Sequence, residues 1–488
     1  MTTPTSSSLP VAGLLASLLL LAGCSVAPPY QRPVAPVPEA YKEATVNTAE
    51  TPHADGSWKL ARPADEASRG AWWEVFQDER LNALEAEAQA ANQDLKAAAA
   101  RLGQARALEQ NTRAARYPQV NVGLGPTRQL ASPAAQGLPA DADTSPVTLW
   151  RGQATFAYEA DLFGRIGTTV DAARFDSERQ GALFHSTLLA LQADVAQAYF
   201  MVRELDALHA LYRDTMKLRE ETLALFQRRF DAGDISDMEL ARAQTELAAA
   251  QAEADGVVRQ RAVAEHALAI LLGKTPAEFS LEALPLGRIA IQLPAGLPSS
   301  LLERRPDIAA AERAMAAANA RIGAAQAAFF PSLNLTGSIG YEAHRAGDLF
   351  KSASRAFVLG PLVGTLLSLP VFDGGARAAG VDRANAVYDE EVARYRQTVL
   401  QAFKEVEDGL INLRLLESQQ QAQSRAVSAA ERAARLSHIQ YREGAISYLG
   451  VIDADRSALQ QRRASVTLDG ERARATVSLI RALGGGWG

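Results

Sequence analysis

Phe230-Asp231-Ala232-Gly233-Asp234-Ile235-Ser236 is a short acidic stretch centred on a glycine, and Tyr441-Arg442-Glu443-Gly444-Ala445-Ile446-Ser447 repeats it 211 residues later. Leu272-Gly273 and Leu483-Gly484 keep the same offset. Upstream the spacing is 213, with Asp94-Leu95 answered by Asp307-Ile308 and Tyr117-Pro118 by Phe330-Pro331. Solenoid units repeat every 20–50 residues or so. Here one much larger unit has been doubled.

Each copy reads as a helix, two strands and a long helical hairpin that turns at the glycine-centred stretch. No proline falls between Pro146 and Pro276 or after Pro370, as helix interiors require, because proline deletes a backbone bond and clashes with the preceding turn. Both stretches carry a heptad. The first runs Leu188, Leu191, Val195, Ala198, Val202, Leu205, His209, Tyr212, Met216, Arg219, Leu223, Phe226, Phe230. The second, 211 residues on, runs from Val399 through Val406, Leu413, Leu416, Gln420, Gln423 and Val427 to Tyr441. Steps of three and four mark a coiled-coil seam. His209, Arg219, Gln420 and Gln423 interrupt it, so the expectation is a loosely packed, partly wet helical assembly. A helix from Gly167 to Phe230 spans on the order of 95 Å.

Short alternating runs lie between the helices. Val120, Val122 and Leu124 alternate with Gln119, Asn121 and Gly123, and Trp150, Ala154, Phe156 and Tyr158 with Arg151, Gln153 and Thr155. In the second copy Leu333, Leu335 and Ile339 alternate with Asn334, Thr336 and Ser338, and a less regular run covers Phe357 to Leu369. Period-two alternation fits strands with one apolar face, as in membrane barrels. Four strands cannot close a barrel, and an open edge in hydrocarbon leaves backbone groups unsatisfied. Several chains must then share one barrel, and a dimer is the arithmetic minimum.

The one cysteine, Cys24, stands in Leu21-Ala22-Gly23-Cys24 behind the apolar run Val11 to Leu20, which suits a signal peptide and is too short to span a membrane. The pattern resembles a bacterial lipobox, in which the thiol takes a diacylglycerol and the new N-terminus an acyl chain. Ser25 in place of aspartate suggests sorting to the outer membrane. Residues 1–10 carry no Lys or Arg, which departs from the usual signal. No other run holds 18 unbroken apolar residues, so no transmembrane helix is expected. The expected division is signal peptide 1–23, lipid-anchored extended tether 24–69, first repeat 70–285 and second repeat 286–488.

Net charge is −6 with no concentrated basic face, which argues against nucleic acid as a partner. The six histidines show no metal-ligand spacing, and there is neither a phosphate loop nor a nucleophile elbow. The sequence does not read as an enzyme, and beyond the acyl groups on Cys24 no cofactor is expected. Asp231, Asp234 and Asp237 surround Gly233, while Glu443, Asp453 and Asp455 follow or flank Gly444. Acids this close to a helix start are often there for the dipole alone. Asp453, two turns past the break, is the strongest candidate for a role beyond it.

Taken together the chain resembles the TolC-type outer membrane efflux channels, and most of all their lipid-anchored, NodT or OprM-like branch. The residues that carry this are Cys24-Ser25-Val26-Ala27-Pro28-Pro29-Tyr30, Trp72-Trp73, Tyr158-Glu159-Ala160-Asp161-Leu162-Phe163-Gly164-Arg165, Glu303-Arg304-Arg305-Pro306-Asp307-Ile308, Phe329-Phe330-Pro331 and Leu369-Pro370-Val371-Phe372-Asp373-Gly374-Gly375. The resemblance implies a mainly α chain with membrane β, internally duplicated, four strands of which join a homotrimeric twelve-stranded outer-membrane barrel while its long helices form a periplasmic α-barrel. It also implies a mixed belt near 60–80 and 274–300, a periplasmic membrane-fusion adaptor, and an inner-membrane pump of the RND type. By the family's tip motif Asp453 belongs to an acidic ring at the periplasmic gate; a second acid is often found three residues earlier, where this chain has Gly450. Asp231, Gly233, Asp234, Ile235, Arg442, Gly444 and Ile446 are the expected adaptor contacts. The implied function is passive conduction of drugs or other small molecules. A type I protein-secretion duct and a periplasmic coiled-coil adaptor are the competing readings, but an adaptor needs only one hairpin and no preceding amphipathic strands.

Overall fold

The computed structural model describes residues 26–34, 37–38, 40–43, 70–287, 301–360 and 366–485, with the side chains of 301 and 302 left out. Cys24 and the signal segment lie outside the described residues, as does most of the stretch to residue 69. Helices α1 (Glu79–Ala91) and α2 (Gln93–Ala114) precede strands β1 (Gln119–Gln129) and β2 (Val147–Ala160), and then the hairpin α3 (Arg165–Asp231) and α4 (Asp237–Leu271). The second copy gives α5 (Pro306–Ala327), β3 (Ser332–Ala343), the short β4 (Arg355–Leu359) and β5 (Leu367–Ser368), and the hairpin α6 (Ala376–Arg442) and α7 (Tyr448–Ala482).

The duplication holds residue for residue in the helices. Helices α3 and α6 have 67 residues each, with a contour of about 100 Å, and α4 and α7 have 35 each; both pairs are offset by 211 at both ends. Helices α2 and α5 have 22 each, at the offset of 213. The two lost residues therefore fall in the strand segment. An aspartate opens each long helix. Asp161 accepts from the N–H of Ile166 and Gly167, and Asp373 from those of Gly375 and Arg377. These satisfy first-turn donors that have no partner within the helix.

The chain divides into two compact units. The first, residues 1–33, 103–179 and 311–395, holds one antiparallel sheet in the order β1-β2-β3-β4, with β5 also paired to β3. The fourth expected strand is described in two pieces whose registers against β3 differ by four residues. Gly360 leaves it at φ 132°, a conformation nearly closed to other residues. The strap 26–33 runs along helices in this unit. Pro28 O accepts from Asn319 Nδ2 (2.9 Å), and Arg32 donates to Tyr395 Oη (3.1 Å) and pairs with Glu312 (3.2 Å).

The second unit, residues 34–102, 180–310 and 396–488, carries the hairpins and the main core. Trp72, Trp73, Leu81, Leu84 and Ala88 pack with Leu191, Val195, Tyr199, Phe200, Leu268, Leu272, Val477 and Ile480. Asp78 caps α1 with one carboxylate oxygen and accepts from Tyr199 Oη with the other (2.6 Å). Residues 40–43 are also docked here, where the N–H of Lys42 and of Glu43 both reach the carboxylate of Glu407. Two described parts of the expected tether, 26–33 and 40–43, are therefore bound to helices.

Almost every heptad position is buried or half-buried, Phe230 being the marginal one. Three of the four polar interruptions of the heptad have partners inside their own hairpins. Gln420 bonds Asp469 and Arg472, Gln423 bonds Gln461, and Arg219 pairs with Glu246 at 3.0 Å. Each is satisfied by the returning helix of its own hairpin.

Candidate functional site: paired hairpin tips and an open sheet

The two turns are built alike. Gly233 takes φ 82° and Gly444 φ 74°, which residues with a Cβ resist. The N–H of Gly233 and Asp234 bond the carbonyls of Phe230 and Arg229, and those of Gly444 and Ala445 bond Tyr441 and Gln440. This double closure satisfies helix-end carbonyls. The return helices differ. Ser236 and Glu239 form a reciprocal capping box, whereas Ser447 makes no side-chain cap and Gly450 occupies the place of Glu239.

One apolar cluster binds the two tips together. Phe226, Leu240 and Ala243 of the first hairpin pack with Tyr448, Val451 and Ile452 of the second, with Leu223, Ile235, Tyr441 and Ile446 against them. The rings of Phe226 and Tyr448 are 4.4 Å apart and those of Tyr441 and Tyr448 5.7 Å. Burial pushes the Tyr448 hydroxyl up to about 12. Of the seven residues expected at an adaptor contact, Asp231, Gly233, Asp234, Arg442 and Gly444 are exposed. Ile235 and Ile446 are half-buried and partly spent on the cluster.

A charged layer lies next to the cluster. Glu246, buried on α4, accepts from Arg219 of α3 and from Arg456 of α7. On the second hairpin His438 Nε2 lies 3.0 Å from both carboxylate oxygens of Asp455. Burial raises the Asp455 carboxyl above its usual range, with Glu246 adding to the effect and His438 and Arg219 opposing it. Asp453 is exposed on α7, between buried Ile452 and this layer. Sequence reasoning flagged Arg219 as a seam break and missed Glu246 and Arg456. A cation inside a seam calls for a buried acid on the returning helix, and that was the available signal.

The sheet supplies the second feature. Its register lines up Val122, Ala154, Ile339 and Phe357 on one face, and Val120, Phe156, Gly337 and Leu359 beside them. On the other face stand Asn121, Thr155, Ser338 and then Gly125, Arg151, Glu342, with Arg151 and Glu342 paired at 3.0 Å. At Gly340 a Cβ would lie 2.2 Å from Gly152 O, so only glycine lets β3 approach β2 there. The apolar face is bare, with Val122 84% exposed and Phe357 73%. Among the described residues strands β1 and β4 each have one neighbour, so both sheet edges are open there. Among the described residues no helix is long and apolar enough to cross a membrane, and none of their acids, histidines or cysteines group as a metal site.

An amphipathic sheet joined to paired coiled-coil hairpins defines a subunit of an outer-membrane channel. The chain belongs to the outer membrane efflux protein family, whose model matches residues 84–274 and again 297–485. The probable efflux pump outer membrane protein SepC of Pseudomonas putida is 34% identical over 97% of this chain and 96% of its own length. The cation efflux system protein CusC of Escherichia coli is 32% identical over 96% and 97%. The open-state MtrE outer membrane channel of Neisseria gonorrhoeae superposes with a TM-score of 0.80 at 30% identity, over 95% of this chain and 98% of that one. The protein is an efflux channel of the outer membrane that reaches into the periplasm, and its family consists of channel proteins.

Proposed function

We propose that three copies of this chain form one twelve-stranded barrel and a helical duct, lipid-anchored through Cys24, which passively conducts small organic molecules delivered by an RND-type inner-membrane pump through a periplasmic adaptor. The observation that carries the reading is the sheet, which has one apolar face, one polar face and, among the described residues, two unpaired edges. In hydrocarbon such edges are tolerated only if other strands complete them, and three copies supply a barrel that the family's resemblance already implies. The exposed turn residues Asp231, Gly233, Asp234, Arg442 and Gly444 form the adaptor-contacting surface, with Ile235 and Ile446 fixing its shape. Three copies of Asp453 around the axis form the acidic ring of the resting gate, where their like charges attract cations.

The relatives' names support the cargo class, since three at 34% identity are named for toluene, antibiotic or general efflux. The test is extraction from outer membranes followed by native mass measurement and planar-bilayer recording. A heat-dissociable trimer that conducts is the expected result. A monomer that stays soluble without detergent and does not conduct would refute the reading.

A further inference from the structure

The duplicated halves place an aromatic residue at each junction between sheet and helix. Tyr117-Pro118 and Phe330-Pro331 lead into β1 and β3, and Phe163 and Phe372 follow β2 and β5 shortly before α3 and α6. A left-handed glycine comes just before each of these long helices, Gly164 at φ 76° and Gly375 at φ 92°. Because β2 pairs with β3 in the chain, Phe163 meets Phe330, stacked at 4.7 Å and 24°. Their counterparts have no such contact. Phe372 is 90% exposed and Tyr117 61%, and among the described residues neither makes a ring contact.

Both unpaired aromatics sit beside the sheet's two open edges. We infer that Phe372 of one protomer stacks on Tyr117 of the next, reproducing between copies the Phe163–Phe330 contact seen within one. The occupant of this exposed surface is a second copy of the chain, and the inference rests on the trimeric barrel proposed above. The equivalence also sets a strand register. Ala160, three residues before Phe163, faces Leu333, three after Phe330. The same relation sets Leu369 opposite Val120 of the neighbour and Leu367 opposite its Val122.

That register passes an independent check. Leu367 pairs with Leu333, which places it on the apolar face, and Leu369 follows it by one full period of alternation. Val120 and Val122 lie on the same apolar face through Phe156, Gly337 and Ala154, Ile339. All four side chains then face lipid together, and a slip of one residue would turn one strand's apolar set inward. Burial of two aromatic rings at each of three equivalent junctions would cover apolar surface that the single chain leaves bare.

The experiment pairs Tyr117→Cys with Phe372→Cys in trimers extracted from outer membranes and oxidised. Each single variant controls for the native thiol Cys24, and Phe163→Cys with Phe330→Cys serves as the within-chain control. The double variant is expected to run as covalent dimer and trimer after denaturation, while the control pair forms its bond without a gain in mass and the single variants stay monomeric. A double variant that remains monomeric in trimers of native size, or Phe372→Cys alone linking to itself, overturns the seam and leaves the trimer standing. Failure of an amine cross-linker to trap any trimer of the parent chain overturns both. Phe372→Ala gives a second readout: the temperature of trimer dissociation in detergent should fall, with Phe372→Tyr restoring it, and an unchanged temperature for Phe372→Ala counts against the contact.

Discussion

Arg456 on α7 reaches across to Glu246 on α4, so the second hairpin holds the first through a carboxylate that Arg219 of α3 also contacts. Glu246 is 8% exposed at its side chain and Arg456 58%. A half-exposed pair of this kind contributes roughly 1 kcal/mol.

If the tips part when the duct opens, this pair opposes opening. Arg456→Ser should raise the closed-state leak by about fivefold, the factor that corresponds to ~1 kcal/mol. Single-channel recording checks this. Glu246→Gln, which leaves two arginines facing an amide, should have the larger effect. A closed-state current equal to that of the parent in both variants would exclude the pair from gating.

Asp453 gives a separate prediction at the same tips. Asp453→Ala removes three charges from the proposed ring, so the resting channel should leak more and lose its sensitivity to added divalent cations. Recordings in symmetric salt with and without the cation read both effects. Retained cation sensitivity would mean that the ring lies elsewhere.

Glu85 predicts a dependence of stability on pH. It is fully buried on α1 with neither carboxylate oxygen hydrogen-bonded, and burial pushes its carboxyl up to about 9. The folded chain therefore holds a proton that the unfolded chain releases near pH 4.5. Its contribution to stability is greatest below that value and declines as pH rises toward 9. Glu85→Gln should flatten the decline, and at pH 8 it should stabilise the protein by on the order of 1–3 kcal/mol. Thermal melts at pH 6 and pH 9 supply the comparison, and equal slopes for parent and variant would rule out Glu85 as the source.

The strap makes the fourth prediction. Arg32 is largely buried between Glu312 and Tyr395. Arg32→Ala removes the guanidinium beside that acid and hydroxyl, at a cost of roughly 1–3 kcal/mol. Limited proteolysis should then cut residues 26–43 faster than in the parent, with the helical core intact. Arg32→Lys should recover only part of the protection, because lysine cannot reproduce a fork that serves two partners.

How far these features could be read from sequence depends on the distance between partners. The offsets of 211 and 213 marked both hairpins and both strand pairs, because proline placement, heptads and alternation are local signals. The last strand was harder, since its register against β3 changes by four residues between Leu359 and Leu367. The tip cluster was out of reach: Phe226 and Tyr448 belong to different hairpins, and no spacing rule joins them. The docking of Arg32 was equally hidden. Proline-rich sequence implies an extended backbone, but Tyr395 lies 363 residues away.

Equal lengths in α3 and α6, and in α4 and α7, restrict how this gene can be edited or recombined. Deleting one residue from a long helix turns everything beyond it by about 100°, which would swing Arg219 or Gln420 out of reach of its acceptor. Viable deletions and chimeric crossovers should therefore come in sevens and be matched in the antiparallel strand of the same coil. The segment between β1 and β2 carries no such constraint, and insertions should be recovered there.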